Sequence, residues 1–269
     1  MQIKQIIVKI SLIIPYYKRP DFLKLVFLGL KNQSFQDFEL ILAEDDNDPA
    51  TQEFLRLKSS DVDFPIQHIS QIDNGFRKVA ALNKAVKVAK AEFIVFLDGD
   101  CIPHKHFLAQ YAKNIDKKTA LYGRRVMVSK SLTSTLIQNN SLSNLNLVNL
   151  VITGSSRIED GIYLPNKSIS KNKKRGIWGC NWGVAKKHLL TVNGFDEDYK
   201  YAGIAEDDDI EWRLRETGVK LKHLKNKAII FHLYHDANYT PEEVLVNRNL
   251  LAKKQEVSEF YCQNGIIKN

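Results

Sequence analysis

Cysteine is scarce: Cys101, Cys180 and Cys262 lie far apart with no CxxC pair among them. That spacing offers neither a disulfide framework nor a zinc cluster, and it points to a reducing compartment. Apolar runs fall short of the ~20 residues that span a bilayer. The best N-terminal candidate, Ile10 to Tyr17, is broken by Pro15 and followed by no cleavage site. The expectation is a cytoplasmic protein beginning near Met1. Only 7 Pro and 13 Gly occur in 269 residues, which excludes collagen-like and low-complexity chains. With 44% hydrophobic and 26% charged residues the composition is that of a folded protein.

Basic residues exceed acidic ones, 39 to 31, for a formal charge of +8. Such a surplus suits anionic partners: nucleotide phosphates, nucleic acid or an anionic membrane. The first half alternates between two periods. Ile6 to Ile14 reads as a strand, and Leu23, Val26, Phe27 and Leu30 form one face of a helix. Phe38 to Ala43 is a buried-type strand that stops at Glu44, Asp45 and Asp46. A helix over Ala50 to Ser59, a strand over Pro65 to Ile69, and a helix carrying Val79, Leu82, Val86 and Ala89 follow. The strand Glu92 to Leu97 then runs straight into Asp98-Gly99-Asp100. Strands and helices in this order predict βαβ crossovers and a mostly parallel sheet. Ligands bind such sheets beyond the strands' carboxyl ends, so the acids at 44–46 and 98–100 are expected in one crevice.

The second half is less regular. Ser129 to Leu150 gives no clear period, and Asn166 to Arg175 holds five basic residues and no acid, which reads as a mobile loop. Gly176 to Gly183 reads as a Trp- and Gly-rich turn. Glu206 to Thr217 reads as a helix ended by Gly218, and Ala228 to Tyr234 as a strand.

Several clusters are candidates for chemistry. Asp98 and Asp100, two apart in extended chain, point the same way, and Gly99 between them admits close backbone approach, a geometry suited to a divalent cation bridging diphosphate oxygens. Glu206 to Asp209 crowd a helix start, where one or two acids suffice for capping; repulsion among four raises the pKa of one, as a general base requires. His232 and His235 close a strand, and either imidazole would complete a metal shell. Phe76, Arg77 and Lys78 follow an Asn-Gly turn. Cations there oppose the helix dipole, so they gain a reading as phosphate contacts, with Phe76 against a base or ribose.

Together these residues resemble a family 2 glycosyltransferase over about residues 9 to 236. The stretches that carry the likeness are Ile10-Ser-Leu-Ile-Ile-Pro-Tyr-Tyr17, Asn32-Gln33-Ser34, Phe38-Glu39-Leu40, Glu44-Asp45-Asp46, Gly75-Phe76-Arg77, Asn83 and Phe96-Leu-Asp-Gly-Asp-Cys-Ile-Pro103. Val192-Asn-Gly-Phe-Asp196 through Glu206-Asp-Asp-Asp-Ile210 is similar to the beta-1,4-galactosyltransferases. The resemblance implies an α/β GT-A fold in a single domain over 1–236, with a nucleotide-sugar half to about 125, an acceptor half to 236 and a helical tail over 237–269. It implies a nucleotide-diphosphate donor, usually UDP-linked, inversion at the anomeric carbon, and Mn2+ or Mg2+. Pro15 and Tyr17 would border the base, Asp45 accept from the uracil ring, Phe76, Arg77 and Lys78 lie along the nucleotide, and Asp98 contact the ribose. Asp100 and His232 would hold the metal, Asp207 would be the general base, and Glu206 would orient the acceptor. Trp178, Trp182, His235, Lys174 and Arg175 are left as candidates for the acceptor side or a lid.

Two departures bear on the acceptor and the base. The galactosyltransferase Trp-Gly run is replaced by Tyr199-Lys-Tyr-Ala-Gly-Ile-Ala205, and Glu44 stands where Asp is usual. The expected acceptor is a glycan or lipid-linked glycan of a surface polysaccharide, with peripheral contact of the basic tail at the inner membrane face. The alternatives are a sugar-phosphate nucleotidyltransferase, for which no Gly-rich phosphate loop is seen, and a non-catalytic nucleic-acid module, supported by charge alone.

Overall fold

The computed structural model describes residues 8–166 and 176–268. In chain order the first half runs β1 (Ile10–Tyr16), α1 (Pro20–Lys31), β2 (Phe38–Glu44), α2 (Pro49–Lys58), β3 (Ile66–Ile69), α3 (Lys78–Val88) and β4 (Phe93–Leu97). β1 pairs in parallel with β2 and β4, and β2 with β3. β1, β2 and β4 are buried almost throughout, as strands covered on both faces must be, which is why they read as unbroken apolar runs. Pro15 fits inside β1 because the β4 pairing stops at Ile13, so no ladder bond to β4 is lost there.

The rest supplies β5 (Cys101–Pro103), α4 (Phe107–Asn114), β6 (Thr119–Tyr122), β7 (Arg124–Met127), α5 (Lys130–Asn139), α6 (Leu147–Ile152), β8 (Asn181–Ala185), α7 (Lys186–Thr191), α8 (Glu206–Glu216), β9 (Lys220–His223), β10 (Ile229–His232) and α9 (Pro241–Glu256). The main sheet has the order β3-β2-β1-β4-β8-β6-β9, and a smaller one the order β5-β10-β7. β8 is antiparallel to both β4 and β6, so the sheet is mixed in its second half.

Alternation along the strands divides the core. Leu12, Ile14, Leu40 and Leu42 face Leu23, Val26, Phe27 and Leu30 of α1. Ile13, Ile41, Ile94 and Phe96 face Val79, Leu82 and Val86 of α3 and Ile210 and Leu214 of α8. The last 33 residues are only half helical. After α9 the chain returns to the body, where Lys254 pairs with Asp196 at 2.7 Å and Ile266 joins the α3 side of the core.

Three expectations are corrected. Gly176 to Gly183 is not all turn: Asn181 onward is a strand inside the main sheet. Ser129 to Leu150 holds one helix and the start of a second, capped by the Ser129 and Asn146 side chains. The first strand begins at Ile10 among the described residues. The basic stretch from Lys167 to Arg175, including Lys174 and Arg175, lies outside the described residues.

Candidate active site

The carboxyl ends of β1, β2 and β4, the turn before β8 and the first turn of α8 meet along one edge. Pro15, Lys78, Phe96, Asp98, Gly179, Glu206 and Asp207 line a common pocket there. At its centre Lys78, the first residue of α3, lies 3.2 Å from Asp98 Oδ1 and 4.0 Å from Glu206 Oε1. The two acidic stretches, far apart in sequence, thus meet across one ammonium. Burial opposes the charge of Lys78, but Asp98, Asp207 and Glu206 outweigh it and hold its pKa above the usual lysine value. Lys78 was expected along the nucleotide; its described partners are the acids. Gly99 lets β1 and β4 close on each other, since a Cβ there would stand 2.9 Å from the Pro15 carbonyl oxygen.

Asp207 is positioned by the turn before β8. Its Oδ2 accepts the Gly179 N–H at 2.7 Å, and a Cβ on Gly179 would come within 2.5 Å of its Oδ1. Burial, reinforced by the charge of Glu206, pushes the Asp207 pKa up to about 7, against the pull of Lys78. Burial likewise raises Glu206. The helix that presents both begins behind Ala205, a non-glycine residue at φ +90° with no side-chain cap. Gly179→Ala is expected to push Asp207 aside and lower kcat by roughly 10–100-fold with UDP affinity unchanged, a misplacement effect that steady-state kinetics beside UDP titration would detect.

The second corner is built by the smaller sheet. β5 and β10 pair antiparallel with His232 opposite Cys101. Ligand atoms of Asp100, Cys101 and His232 all lie within 4.8 Å of one another. His232 Nε2 is 3.4 Å from Asp100 Oδ2, and His235 Nε2 is nearer, at 2.9 Å. His235, expected at the acceptor side or a lid, is thus a direct partner of Asp100. Burial works against the charge of Asp100, yet the His235 hydrogen bond and the charge of His232 hold it well below the carboxylate range. The hydrogen bond to Asp100 raises His235, whereas burial lowers His232. The Nδ1 of His232 is buried without a hydrogen-bond partner. A carboxylate with imidazoles beside it fits a divalent cation that accepts nitrogen along with oxygen, as Mn2+ does more readily than Mg2+; burial keeps the neighbouring Cys101 thiol protonated.

At the opposite end, Asp45 already uses both oxygens. Oδ1 accepts from Gln71 Nε2 and Oδ2 from the Arg77 N–H, each at 2.7 Å, so Asp45 braces the 71–77 turn that carries Phe76. Burial raises its pKa. Tyr17 is 48% exposed and donates to Asp73. Pro15, Tyr17, Asp45, Phe76, Arg77 and Asp98 therefore gather at one edge, with Gln71 as a brace that the sequence did not reveal.

The two tryptophans part company. Trp182 is 1% exposed and stacked on Phe96, centroids 4.5 Å apart, with Phe195 edge-on. Its ring packs the core where it borders the Asp207 pocket and offers almost no exposed surface to a sugar. Trp178 is half-buried under three guanidinium groups, those of Arg124, Arg157 and Arg125 at 4.4, 4.8 and 5.3 Å from the ring. No sequence signal pointed to that cluster, because it is assembled by β7 and the segment after α6.

The model for glycosyl transferase family 2 matches residues 11–189, which include the Asp98–Asp100 and nucleotide-end residues. The chain belongs to glycosyl transferase family 2. A model described as the N-terminal domain of galactosyltransferase matches residues 166–236, the part holding α8 and β10. Membership decides for a transferase and against the nucleotidyltransferase and nucleic-acid alternatives. Among curated relatives, the chain is 26% identical to a chondroitin synthase of Escherichia coli, over 99% of the chain and 41% of that protein. It is 27% identical to a hyaluronan synthase of Pasteurella multocida, over 94% of the chain and 28% of that protein. The chain thus spans less than half of these relatives. Its GT-A fold is shared with S. aureus TarS 1-349 in complex with UDP, at TM-score 0.59 and 17% identity, covering 92% of this chain and 65% of that one. It is shared too with the mannosyltransferase PcManGT from Pyrobaculum calidifontis in complex with GDP-Man and Mn2+, at TM-score 0.58 and 15% identity, covering 87% and 59%. No helix among the described residues is long and apolar enough to cross a membrane.

Proposed function

We propose that this family 2 member transfers a sugar, with inversion, from a UDP-linked donor to a hydroxyl of a glycan or lipid-linked acceptor in surface polysaccharide synthesis. The observation that carries the reading is the meeting of Asp98, Glu206 and Asp207 around Lys78 in one pocket. Two relatives named as polysaccharide synthases and the UDP-bound fold neighbour support the substrate class.

In this reading the acceptor oxygen attacks the anomeric carbon while the bond from that carbon to the diphosphate oxygen breaks. The hydroxyl proton passes to Asp207, whose raised pKa suits proton removal near neutrality. Glu206, on the same helical turn, orients the acceptor. Pro15, Tyr17, Phe76, Arg77 and Asp98 receive the nucleoside, and Asp45, which braces their turn, accepts from the uracil ring through a remaining lone pair. Asp100 and His232, with His235 against Asp100, would hold a Mn2+ or Mg2+ ion. When bound, that ion supplies charge neutralisation to the diphosphate. In the tail Lys254 is held by Asp196, Asp198 and Glu259 and Lys268 by Glu197, so contact with an anionic inner membrane face would rest on the chain's overall charge of +8, and sedimentation with anionic vesicles at moderate salt tests it.

A thermal-shift screen of nucleotide sugars with and without Mn2+ tests the donor. A UDP-sugar at about 100 times its Kd is expected to stabilise by about 2.7 kcal/mol, raising Tm by on the order of 5 °C or more. No shift with any uridine nucleotide would sink the reading.

A further inference from the structure

Arg125 is a half-buried cation in search of an anion. In β7 it stands opposite Ile230 of β10, one pleat from His232, and His232 lies across from Cys101 in β5. The smaller sheet therefore carries the Arg125 side chain onto the same face as the Asp100 corner. Its Nε is buried with no hydrogen-bond partner. Its Nη1 finds only the Cys180 thiol, a weak acceptor 3.7 Å away. Among the described residues it makes no ion pair, and the anionic groups that act on it from a distance include Asp98 and Asp100. The Trp178 ring, 5.3 Å from its guanidinium carbon, restrains the group from one side.

A guanidinium in such surroundings is costly to keep without a partner and well matched to a two-oxygen anion. Lys78, the cation that lines the Asp207 pocket, is already engaged by Asp98 and Glu206. We propose that Arg125 binds the diphosphate of the donor and holds it as it leaves. This deepens the function proposed above and rests on it. Inversion requires the attacking oxygen and the leaving oxygen to lie on opposite sides of the anomeric carbon. With Asp207 on the attacking side, a cation beside Asp100 stands on the leaving side. There the electron pair of the broken carbon–oxygen bond comes to rest on phosphate oxygen. Arg125 stays protonated throughout, so no proton is exchanged.

Calorimetric titration of UDP and UMP into the wild type, Arg125→Gln and Arg125→Lys, in EDTA and again in Mn2+, tests the assignment. Arg125→Gln is expected to weaken UDP at least tenfold in both buffers and to leave UMP, which lacks the second phosphate, within about twofold. Arg125→Lys, which keeps the charge but loses the fork, is expected in between, and it carries the test alone if the Gln variant fails to fold. Equal UDP affinity in the wild type and the variants overturns the proposal, as does a defect confined to acceptor KM. A wild type that binds neither nucleotide would instead overturn the function on which the proposal rests.

Discussion

Asp207→Asn is expected to lower kcat by roughly 10²–10⁴-fold, the range set by losing a general base. UDP affinity should stay within about twofold, because the amide oxygen can still accept the Gly179 N–H. The wild-type rate should rise about tenfold per pH unit up to about 7, where Asp207 deprotonates, and then level off; the Asn variant should be flat over that range. Stability moves the other way. The folded protein keeps the Asp207 proton up to about 7, whereas the unfolded chain releases it near 3.8. Folding is therefore weakened as pH rises through that window, and Asp207→Asn should melt higher than the wild type at pH 8. A variant that turns over within a few-fold of wild type would remove Asp207 from the mechanism.

Arg213→Ala is expected to destabilise the fold by about 3–5 kcal/mol, the cost of stranding a buried partner charge. Arg213 is fully buried. Its Nε and Nη2 grip Asp209 Oδ2 at 2.8 and 2.6 Å, and its Nη1 donates to the Val192 and Gly194 carbonyls at 2.9 and 2.8 Å. Truncation would strip Asp209 of its ion-pair partner and the Gly194 carbonyl of its side-chain donor, leaving the Val192 carbonyl only the Cys262 N–H at 3.4 Å. Thermal melts at fixed pH should show a drop on the order of 10 °C. Pairing it with Asp209→Leu, which removes the stranded charge, should recover much of the loss. If the single variant melts with the wild type, the pair contributes nothing. The bridge also fixes α8 against the turn after α7, so it anchors the element that presents Glu206 and Asp207.

Most of the first half was legible because its elements repeat cleanly: buried parallel strands as apolar runs, α1 and α3 as single-faced stripes. β8 was hidden because glycines beside Trp178 and Trp182 read as a turn. Gly183 is there for another reason, since a Cβ would stand 2.7 Å from the Ile94 carbonyl of β4. The helices that start within 129–150 were obscured by the Ser and Asn residues that cap them. In the site, the acids were visible because carboxylates clustered at a strand end and a helix start are conspicuous. The attachment of His235 to Asp100, the place of Cys101 and the arginines over Trp178 were not. The first two depend on the register of β5 and β10, which brings together residues more than a hundred positions apart, and the third on tertiary packing of β7 and Arg157 over Trp178; no local pattern encodes such pairings.

Ala205 sits in a backbone conformation that costs an L-residue on the order of 1–3 kcal/mol and glycine almost nothing. Ala205→Gly is therefore an obvious edit for hardening this protein against heat. It would also loosen the turn that precedes the two carboxylates of α8, so a screen for thermal robustness alone would select variants that have traded aim for endurance.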